Sequence, residues 1–171
     1  EKKTSKNSRL IHCITNPISM NQCANTILAL GARPIMAEHP DEVAEITRTA
    51  SSLMLNLGNI TDTRITSMRL ALKEANSTGI PVTLDAVGAA CSSLRKTLVR
   101  LFLVSGRFAC IKGNYSEIVA LYDDTYRSSG VDSDKGIDES QAEEAALNLS
   151  ASANAIVVAT GSVAKRLPIP G

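Results

Sequence analysis

The chain has 171 residues, 44% of them hydrophobic, and a net charge of +1 from 18 basic and 17 acidic side chains. A chain of this length buries enough apolar surface to fold without disulfides or metal ions, so we predict a single domain over residues 1–171. The balanced charge argues against nucleic acid as a partner, and three Tyr and two Phe without any Trp offer no base-stacking surface.

Cysteine usage and polarity indicate a reducing compartment and no membrane partner. The four cysteines form no CxxC pair and have no histidine at metal-ligand spacing, so we expect reduced thiols and a cytoplasmic location. They are Cys13, Cys23, Cys91 and Cys110. The uncharged stretch 10–32 is too rich in amides and hydroxyls for a membrane-spanning helix. We expect this stretch to line a small-molecule pocket instead.

Short apolar runs alternate with stretches whose apolar residues recur three and four positions apart. The runs predict strands at Leu10–Ile14, Arg33–Met36, Ser52–Leu57, Pro81–Leu84, Phe108–Ile111 and Ala155–Ala159. The periodic stretches predict six helices: one behind Ser19 that stops at Gly31, one begun by Pro40, one from Ile65 to a left-handed cap at Gly79, one through Leu94–Phe102, a short one after Gly113 and one through Ala142–Leu149. Because helices connect successive strands, we predict a layered α/β fold with a mostly parallel sheet flanked by helices.

Polar residues follow the predicted strands, at the edge where parallel sheets bind their ligands. A carboxylate, an ammonium and a hydroxyl at one edge suit a metal-bound polyphosphate: Asp85 for Mg²⁺ or its waters, Lys112 for phosphate charge and Thr160 for a hydrogen bond. The other residues at these strand ends include Thr15, Asn16, Met36, Glu38, Asn56, Gly58, Gly113 and Asn114.

Structural roles explain several of these residues equally well. Asp85 could cap a turn or a helix, and Lys112 could be a solvated strand end. Asn114 and Glu117 have the spacing of a capping box, which requires no ligand. The basic residues of the fourth helix, Arg95, Lys96 and Arg100, lie opposite its apolar stripe, so we expect them to face solvent.

Six segments in chain order resemble one known family. They are IHCITNPISMNQCAN (11–25), ALGARPIMAEHPDEVAEIT (29–47), LMLNLGNITDTRITSM (53–68), GIPVTLDAVGAACSSLR (79–95), IKGNYSEIVAL (111–121) and VVATG (157–161). The family is that of hydroxyethylthiazole kinase, a ribokinase-like kinase of thiamine salvage. The resemblance implies ATP-dependent phosphorylation of 4-methyl-5-(2-hydroxyethyl)thiazole, with Mg²⁺ as cofactor, by a cytoplasmic homotrimer.

The resemblance also implies a role for individual residues of this chain. The thiazole alcohol would contact Asn16, Met36 and Gly58, and ATP would contact Lys112, Asn114 and Thr160. Asp85 and Glu117 resemble the acidic residues that organise Mg²⁺ and its water.

The sequence departs from the family pattern after Gly161. Family members continue into a GTGC-type segment, whose backbone amides hold the transferring phosphate and whose cysteine lies beside the substrate hydroxyl. None of the four cysteines stands in that context, so we assign no catalytic residue in this chain and expect a domain that lacks its C-terminal part. The last predicted strand, Ala155–Ala159, should then expose apolar surface.

Three hypotheses follow from this sequence. The first is the thiazole kinase itself. The second is a truncated, non-catalytic remnant that binds thiazole or associates with full-length subunits. The third is another ribokinase-like enzyme acting on a hydroxylated, nucleotide-like substrate, against which the PIM segment at 34–36 argues.

Overall fold

Strands and helices alternate along the chain as far as α5 in this computed structural model, which describes residues 9–128, 137–161 and 164–167. The elements are β1 (Leu10–Ile14), α1 (Pro17–Ala29), β2 (Arg33–Ile35), α2 (Val43–Thr49), β3 (Ser52–Asn56), α3 (Asp62–Thr78), β4 (Val82–Asp85), α4 (Ser93–Ser105), β5 (Cys110–Asn114), α5 (Tyr115–Tyr122), α6 (Glu139–Ala153), β6 (Ile156–Thr160) and β7 (Ala164–Leu167). The predicted α/β class, with a mostly parallel sheet and flanking helices, is confirmed.

The chain divides after Val82 into two compact units. In the first unit, β1 lies between β2 and β3 and pairs with both in parallel. In the second unit, the strand order is β4-β5-β6-β7, in which the first three strands are parallel and β7 runs antiparallel to β6. The sequence analysis missed β7, and its expectation of one domain over residues 1–171 remains a prediction.

The core of the first unit lies under β1 and β3. Ile14 and Leu55 are fully buried on these strands. Helix α3 packs against β3 and has buried apolar residues spaced by three and four positions, namely Met68, Ala71, Leu72 and Ala75. Thr61 caps the start of this helix, and Gly79 ends it at a φ of 74°, a left-handed conformation that glycine adopts without strain. The predicted cap at Gly79 is therefore confirmed.

The core of the second unit lies around β5 and β6. Ile111 and Val157 are fully buried on these strands, and Phe102 of α4 and Ile118 of α5 are buried with them. Helix α6 contributes the small apolar residues Ala142, Ala145 and Ala146, and it packs against both α5 and β6. Val157 and Ala159 are therefore buried on β6, so the predicted exposure of apolar surface is wrong for that face of the strand.

Several predicted element boundaries differ from the structure, among them the start of α2, which is Val43 rather than Pro40, and two have clear local reasons. Helix α1 begins at Pro17 rather than behind Ser19, because the side chain of Asn16 accepts a hydrogen bond from the backbone of Ser19 and so caps the helix earlier. Strand β5 continues to Asn114 instead of ending at Ile111, because its polar residues still pair with β6.

The prediction that the basic residues of α4 face solvent is also wrong. Lys96 is only 3% exposed, and its Nζ donates to the backbone carbonyls of Asp123 (2.9 Å) and Asp124 (3.2 Å) at the end of α5. Arg95 donates to the carbonyl of Val87, and Arg100 forms an ion pair with Asp124. These basic side chains satisfy backbone and carboxylate oxygens that a helix-face pattern does not reveal.

Within the described ranges, no helix combines the length and the apolar character needed to cross a membrane.

Candidate functional site

Three residues of the first unit form a hydrogen-bonded group, which we call the Asn16 cluster: Asn16, Asn56 and Gly58. The Asn16 side chain donates from Nδ2 to Oδ1 of Asn56 over 3.0 Å, and the same Oδ1 accepts from the Gly58 backbone over 2.8 Å. Oδ1 of Asn16 caps α1 by accepting from the backbone of Ser19. The structure thus brings together the predicted substrate contacts Asn16 and Gly58 after β1 and β3.

Gly58 is the residue that the close packing of this cluster requires. A Cβ added at this position would lie 2.7 Å from Nδ2 of Asn16 and 2.9 Å from Oδ1 of Asn56. Both distances are shorter than real Cβ contacts, so any other residue would push the two asparagines apart. The sequence analysis placed Asn56 at this edge but did not include it among the site residues, and its amide oxygen holds the cluster together.

Met36 directly follows β2, the neighbour of β1, and it is half-buried. The backbone after Met36 is tightly held. The carbonyl of Ala37 lies 2.8 Å from Nε2 of His12, and the carbonyl of Glu38 accepts from the Ser67 hydroxyl over 2.6 Å. No sequence pattern singled out His12 or Ser67, because one lies in an apolar strand and the other on a helix face.

The predicted phosphate and metal residues of the second unit lie at the carboxyl ends of β4, β5 and β6. The strand register sets Asp85 beside Lys112 and Asn114 beside Thr160. Nζ of Lys112 lies 3.4 Å from both carboxylate oxygens of Asp85, and the two side chains are 38% and 18% exposed. We call Asp85, Lys112, Asn114, Glu117 and Thr160 the Lys112 cluster.

Glu117 is a capping residue as well as a member of this cluster. Its Oε2 accepts from the backbone of Asn114 over 2.7 Å, while Oδ1 of Asn114 accepts from the backbone of Glu117 over 2.9 Å. This is the capping box that the spacing predicted. The other oxygen, Oε1, accepts from the backbone of Gly88 over 2.6 Å, so Glu117 also fixes the loop that follows Asp85.

Opposing effects act on the charge of Glu117. The side chain is 2% exposed, and this burial raises the pKa of its carboxyl group. The two backbone donors and the ammonium of Lys112 lower the pKa by smaller amounts, and the carboxylate of Asp85 adds to the increase.

Thr160 ends β6 and donates from its hydroxyl to the carbonyl of Gly113 over 3.3 Å. Gly161 follows immediately, and a Cβ at this position would clash with the ring of Tyr115. The ring of Tyr115 therefore packs against the backbone at Gly161.

The Lys112 cluster contains groups that can bind an anion and a group that can bind a cation. Lys112 supplies a partly exposed ammonium for phosphate oxygens, and Asp85 supplies a carboxylate. In the part of the chain that the structure describes, no three His, Cys, Asp or Glu residues come close enough to hold a metal ion by themselves. The carboxylate of Asp85 beside a phosphate-binding ammonium fits Mg²⁺, which binds through one or two carboxylates together with waters and substrate phosphates.

Sequence comparison relates this chain to known proteins. Residues 2–165 match the model of the hydroxyethylthiazole kinase family. A hydroxyethylthiazole kinase from Finegoldia magna is 45% identical over 154 residues, which cover 90% of this chain and 57% of the relative. A hydroxyethylthiazole kinase 2 from Clostridium botulinum (strain 657 / Type Ba4) is 53% identical over 123 residues, covering 72% of this chain and 46% of the relative.

Structural comparison gives the same result. The structure of a hydroxyethylthiazole kinase protein from Pyrococcus horikoshii OT3 matches with a TM-score of 0.81 and 33% identity, over 96% of this chain and 60% of that one. A mutant of phosphofructokinase-2 from Escherichia coli matches at 0.54 with 15% identity over 96% of this chain and 60% of that one, which is a likeness of fold alone. The ribokinase-like fold is thus confirmed. The chain spans about three-fifths of the length of these relatives or less.

Proposed function

Because the chain belongs to the hydroxyethylthiazole kinase family, we propose that the protein transfers the γ-phosphoryl group of ATP to the hydroxyl of 4-methyl-5-(2-hydroxyethyl)thiazole, in thiamine salvage. The observation that carries this proposal is the family match over residues 2–165. The arrangement of Lys112 and Asp85 at the carboxyl ends of adjacent strands supports it, because phosphoryl transfer depends on charge neutralisation and positioning.

The Asn16 cluster and Met36 are proposed to bind the thiazole alcohol. The amides of Asn16 and Asn56 offer neutral hydrogen-bonding groups, which suit a small uncharged substrate. Met36 offers a polarisable thioether that packs well against an aromatic ring such as thiazole. The absence of a side chain at Gly58 lets the amides of Asn16 and Asn56 pack directly against its backbone, which fixes the positions of both amides.

The Lys112 cluster is proposed to bind Mg·ATP. Lys112 would neutralise phosphate charge, and the amide of Asn114 and the hydroxyl of Thr160 would add hydrogen bonds. Asp85 would hold Mg²⁺ or its waters. Glu117 would act through the backbone that it fixes, because both of its oxygens already accept backbone hydrogen bonds. When bound, Mg²⁺ would neutralise charge on the phosphates.

Association of copies into a homotrimer is a further part of the proposal. No residue of α1 is buried, and Ile18, Leu28 and Leu30 at this helix are 91%, 55% and 81% exposed. Apolar side chains exposed to this degree on one element support burial against another copy. The replacement Ile18→Asp, together with Leu30→Asp, should reduce the mass measured by light scattering to that of a monomer.

A cytoplasmic location completes the proposal. The four cysteines are free thiols, which fits a reducing compartment where ATP is available.

One assay tests the proposed function. The purified protein is mixed with the thiazole alcohol and Mg·ATP, and the phosphorylated alcohol is measured by mass spectrometry while thiazole binding is measured by calorimetry. Turnover that is lost with 5-ethyl-4-methylthiazole, which lacks the hydroxyl, supports the kinase. Binding of the alcohol without turnover identifies the non-catalytic alternative, and the absence of both overturns the proposal.

A further inference from the structure

His12 is a buried polar residue in the middle of the apolar strand β1. The side chain is fully buried, and both ring nitrogens have partners. Nε2 lies 2.8 Å from the carbonyl oxygen of Ala37, and Nδ1 lies 2.9 Å from the hydroxyl of Thr47. We propose that His12 is a positioning residue that fixes the backbone next to Met36 and so sets the affinity for thiazole; this inference rests on the thiazole-binding role proposed above.

The partners of His12 define its protonation. A carbonyl oxygen only accepts hydrogen bonds, so Nε2 must carry the proton that is donated to Ala37. Burial lowers the pKa of His12, which favours the neutral ring and leaves Nδ1 as an acceptor. The Thr47 hydroxyl has one proton, which it can donate either to Nδ1 at 2.9 Å or to the Val43 carbonyl at 2.7 Å. The donor of this buried ring is therefore directed at one atom, the Ala37 carbonyl.

The hydrogen bond to Ala37 is one of several that fix the segment after β2. The Ser67 hydroxyl donates to the Glu38 carbonyl over 2.6 Å, and the guanidinium of Arg64 pairs with the Glu38 carboxylate at 2.8 Å. Side chains from β1 and α3 thus hold two consecutive residues directly after Met36. The constraint falls on the backbone at Ala37 and Glu38.

This constraint matters because the side chain of Met36 has no polar group that would fix its own orientation. A methionine side chain has three rotatable bonds and no hydrogen-bond donor, so its thioether is placed mainly by its backbone. Groups that lock the backbone of a binding residue keep it in the productive geometry and reduce the entropy lost on binding. Loss of the His12 donor would free the Ala37 carbonyl and let the Met36 side chain sample more positions.

Two substitutions at His12 separate positioning from simple packing. His12→Gln can place its amide NH₂ where Nε2 lies and keep the donor to Ala37, whereas His12→Asn reaches only to the position of Nδ1, on the Thr47 side. We expect His12→Asn to raise the Kd and the KM for the thiazole alcohol about 3- to 10-fold, with kcat and ATP affinity within about twofold. His12→Gln should stay near the parent values.

Thr47→Val is the matched control, because it removes the other partner of the ring and leaves the bond to Ala37. This variant should lose stability but keep its thiazole affinity within about twofold. Equal thiazole affinities for the His12→Asn and His12→Gln variants, or an equally weakened Thr47→Val protein, would overturn the inference.

A readout without substrate distinguishes a failure of this inference from a failure of the proposed function. The ¹³C-methyl resonance of Met36, assigned by a Met36→Leu variant, should shift or broaden in the His12→Asn protein and stay in place in the His12→Gln protein. An unchanged resonance in both overturns the positioning role. A parent protein that fails to bind the thiazole alcohol overturns the proposed function instead, and the methyl spectrum still decides the role of His12.

Discussion

Lys112 and Asp85 face each other across adjacent parallel strands, with the Lys112 ammonium equidistant, at 3.4 Å, from both carboxylate oxygens. This separation is longer than that of a tight charge-assisted hydrogen bond. The ammonium is also 38% exposed. Lys112 can therefore turn toward an incoming phosphate at small cost to the ion pair.

The first prediction is that Lys112→Ala weakens ATP binding about 3- to 30-fold, because a charge-assisted hydrogen bond contributes roughly 1.5–3 kcal/mol and partial exposure reduces that figure. Calorimetry with Mg·ATP measures the effect, and thiazole affinity should not change. The exposed lysine Lys73 on α3 provides the control, since Lys73→Ala should leave ATP affinity unaltered. Equal ATP affinity in the Lys112→Ala protein and its parent would remove Lys112 from the nucleotide site.

The second prediction is that Asp85→Asn raises the Mg²⁺ concentration for half-maximal turnover roughly tenfold or more, because an amide lacks the charge that holds a hard cation. Turnover at saturating ATP across a Mg²⁺ titration measures it. Asp41 is highly exposed, and Asp41→Asn should leave the titration unchanged. If Asp85→Asn instead lowers the melting temperature without moving the Mg²⁺ titration, Asp85 has a structural role only.

The third prediction separates the two functions of the Asn16 side chain. Asn16→Asp keeps the oxygen that caps α1 but loses the NH₂ donor to Asn56, whereas Asn16→Ala loses both. We expect the two variants to lose thiazole affinity to a similar degree. Only Asn16→Ala should lose the stability of a helix cap, about 1 kcal/mol. Urea unfolding and thiazole calorimetry on both proteins measure this, and a retained affinity in Asn16→Asp would contradict the assignment.

The fourth prediction concerns the buried carboxylate of Glu117. Burial raises its pKa in the folded protein, so the folded state holds the proton more tightly than the unfolded state. The contribution of Glu117 to stability is therefore fully present below about pH 4.3, the ordinary pKa of glutamate, and is lost as the pH rises through the raised value. The Glu117→Gln protein should lack this pH dependence.

Glu117→Gln should also be less stable at neutral pH by about 1–3 kcal/mol, because an amide cannot accept from both the Gly88 and Asn114 backbones. Urea unfolding at several pH values tests both statements. A Gln variant whose stability follows the same pH curve as the parent would show that Glu117 does not titrate differently on folding.

The fifth prediction uses the buried hydroxyl of Thr15. Among the described residues, its Oγ1 is the one buried side-chain polar atom without a hydrogen-bond partner. Such a group costs roughly 1–3 kcal/mol, so Thr15→Val should raise the free energy of unfolding by about 1 kcal/mol or more. Thr15→Ser keeps the hydroxyl and serves as the control, which should gain nothing. A destabilised Val variant would show that the hydroxyl is satisfied in the folded protein.

Rules about residues that are neighbours in the chain predicted the helices and strands better than they predicted the contacts between distant side chains and backbone groups. The turn at Gly79 and the capping box of Asn114 and Glu117 depend on neighbours in the chain, so their spacing was sufficient. Lys96 and His12 were not predicted, because their partners lie 27 and 25 positions away and are backbone carbonyls, which carry no sequence signal. A lone histidine in an apolar strand and a lysine on a helix face give the same pattern whether or not such a carbonyl is near.

Helix α5 is anchored at both ends by side chains that bind backbone groups. Glu117 and Asn114 close its first turn, and the buried ammonium of Lys96 holds the carbonyls of Asp123 and Asp124 beyond its last. The position of this eight-residue helix is therefore fixed, because rotation about its axis or a shift along it would break hydrogen bonds at both ends. The two hydrogen bonds from Lys96 are to main-chain oxygens, and the carboxylate of Asp124 adds a longer ion pair at 3.7 Å, so this end of α5 is held mainly through the backbone path of residues 123 and 124.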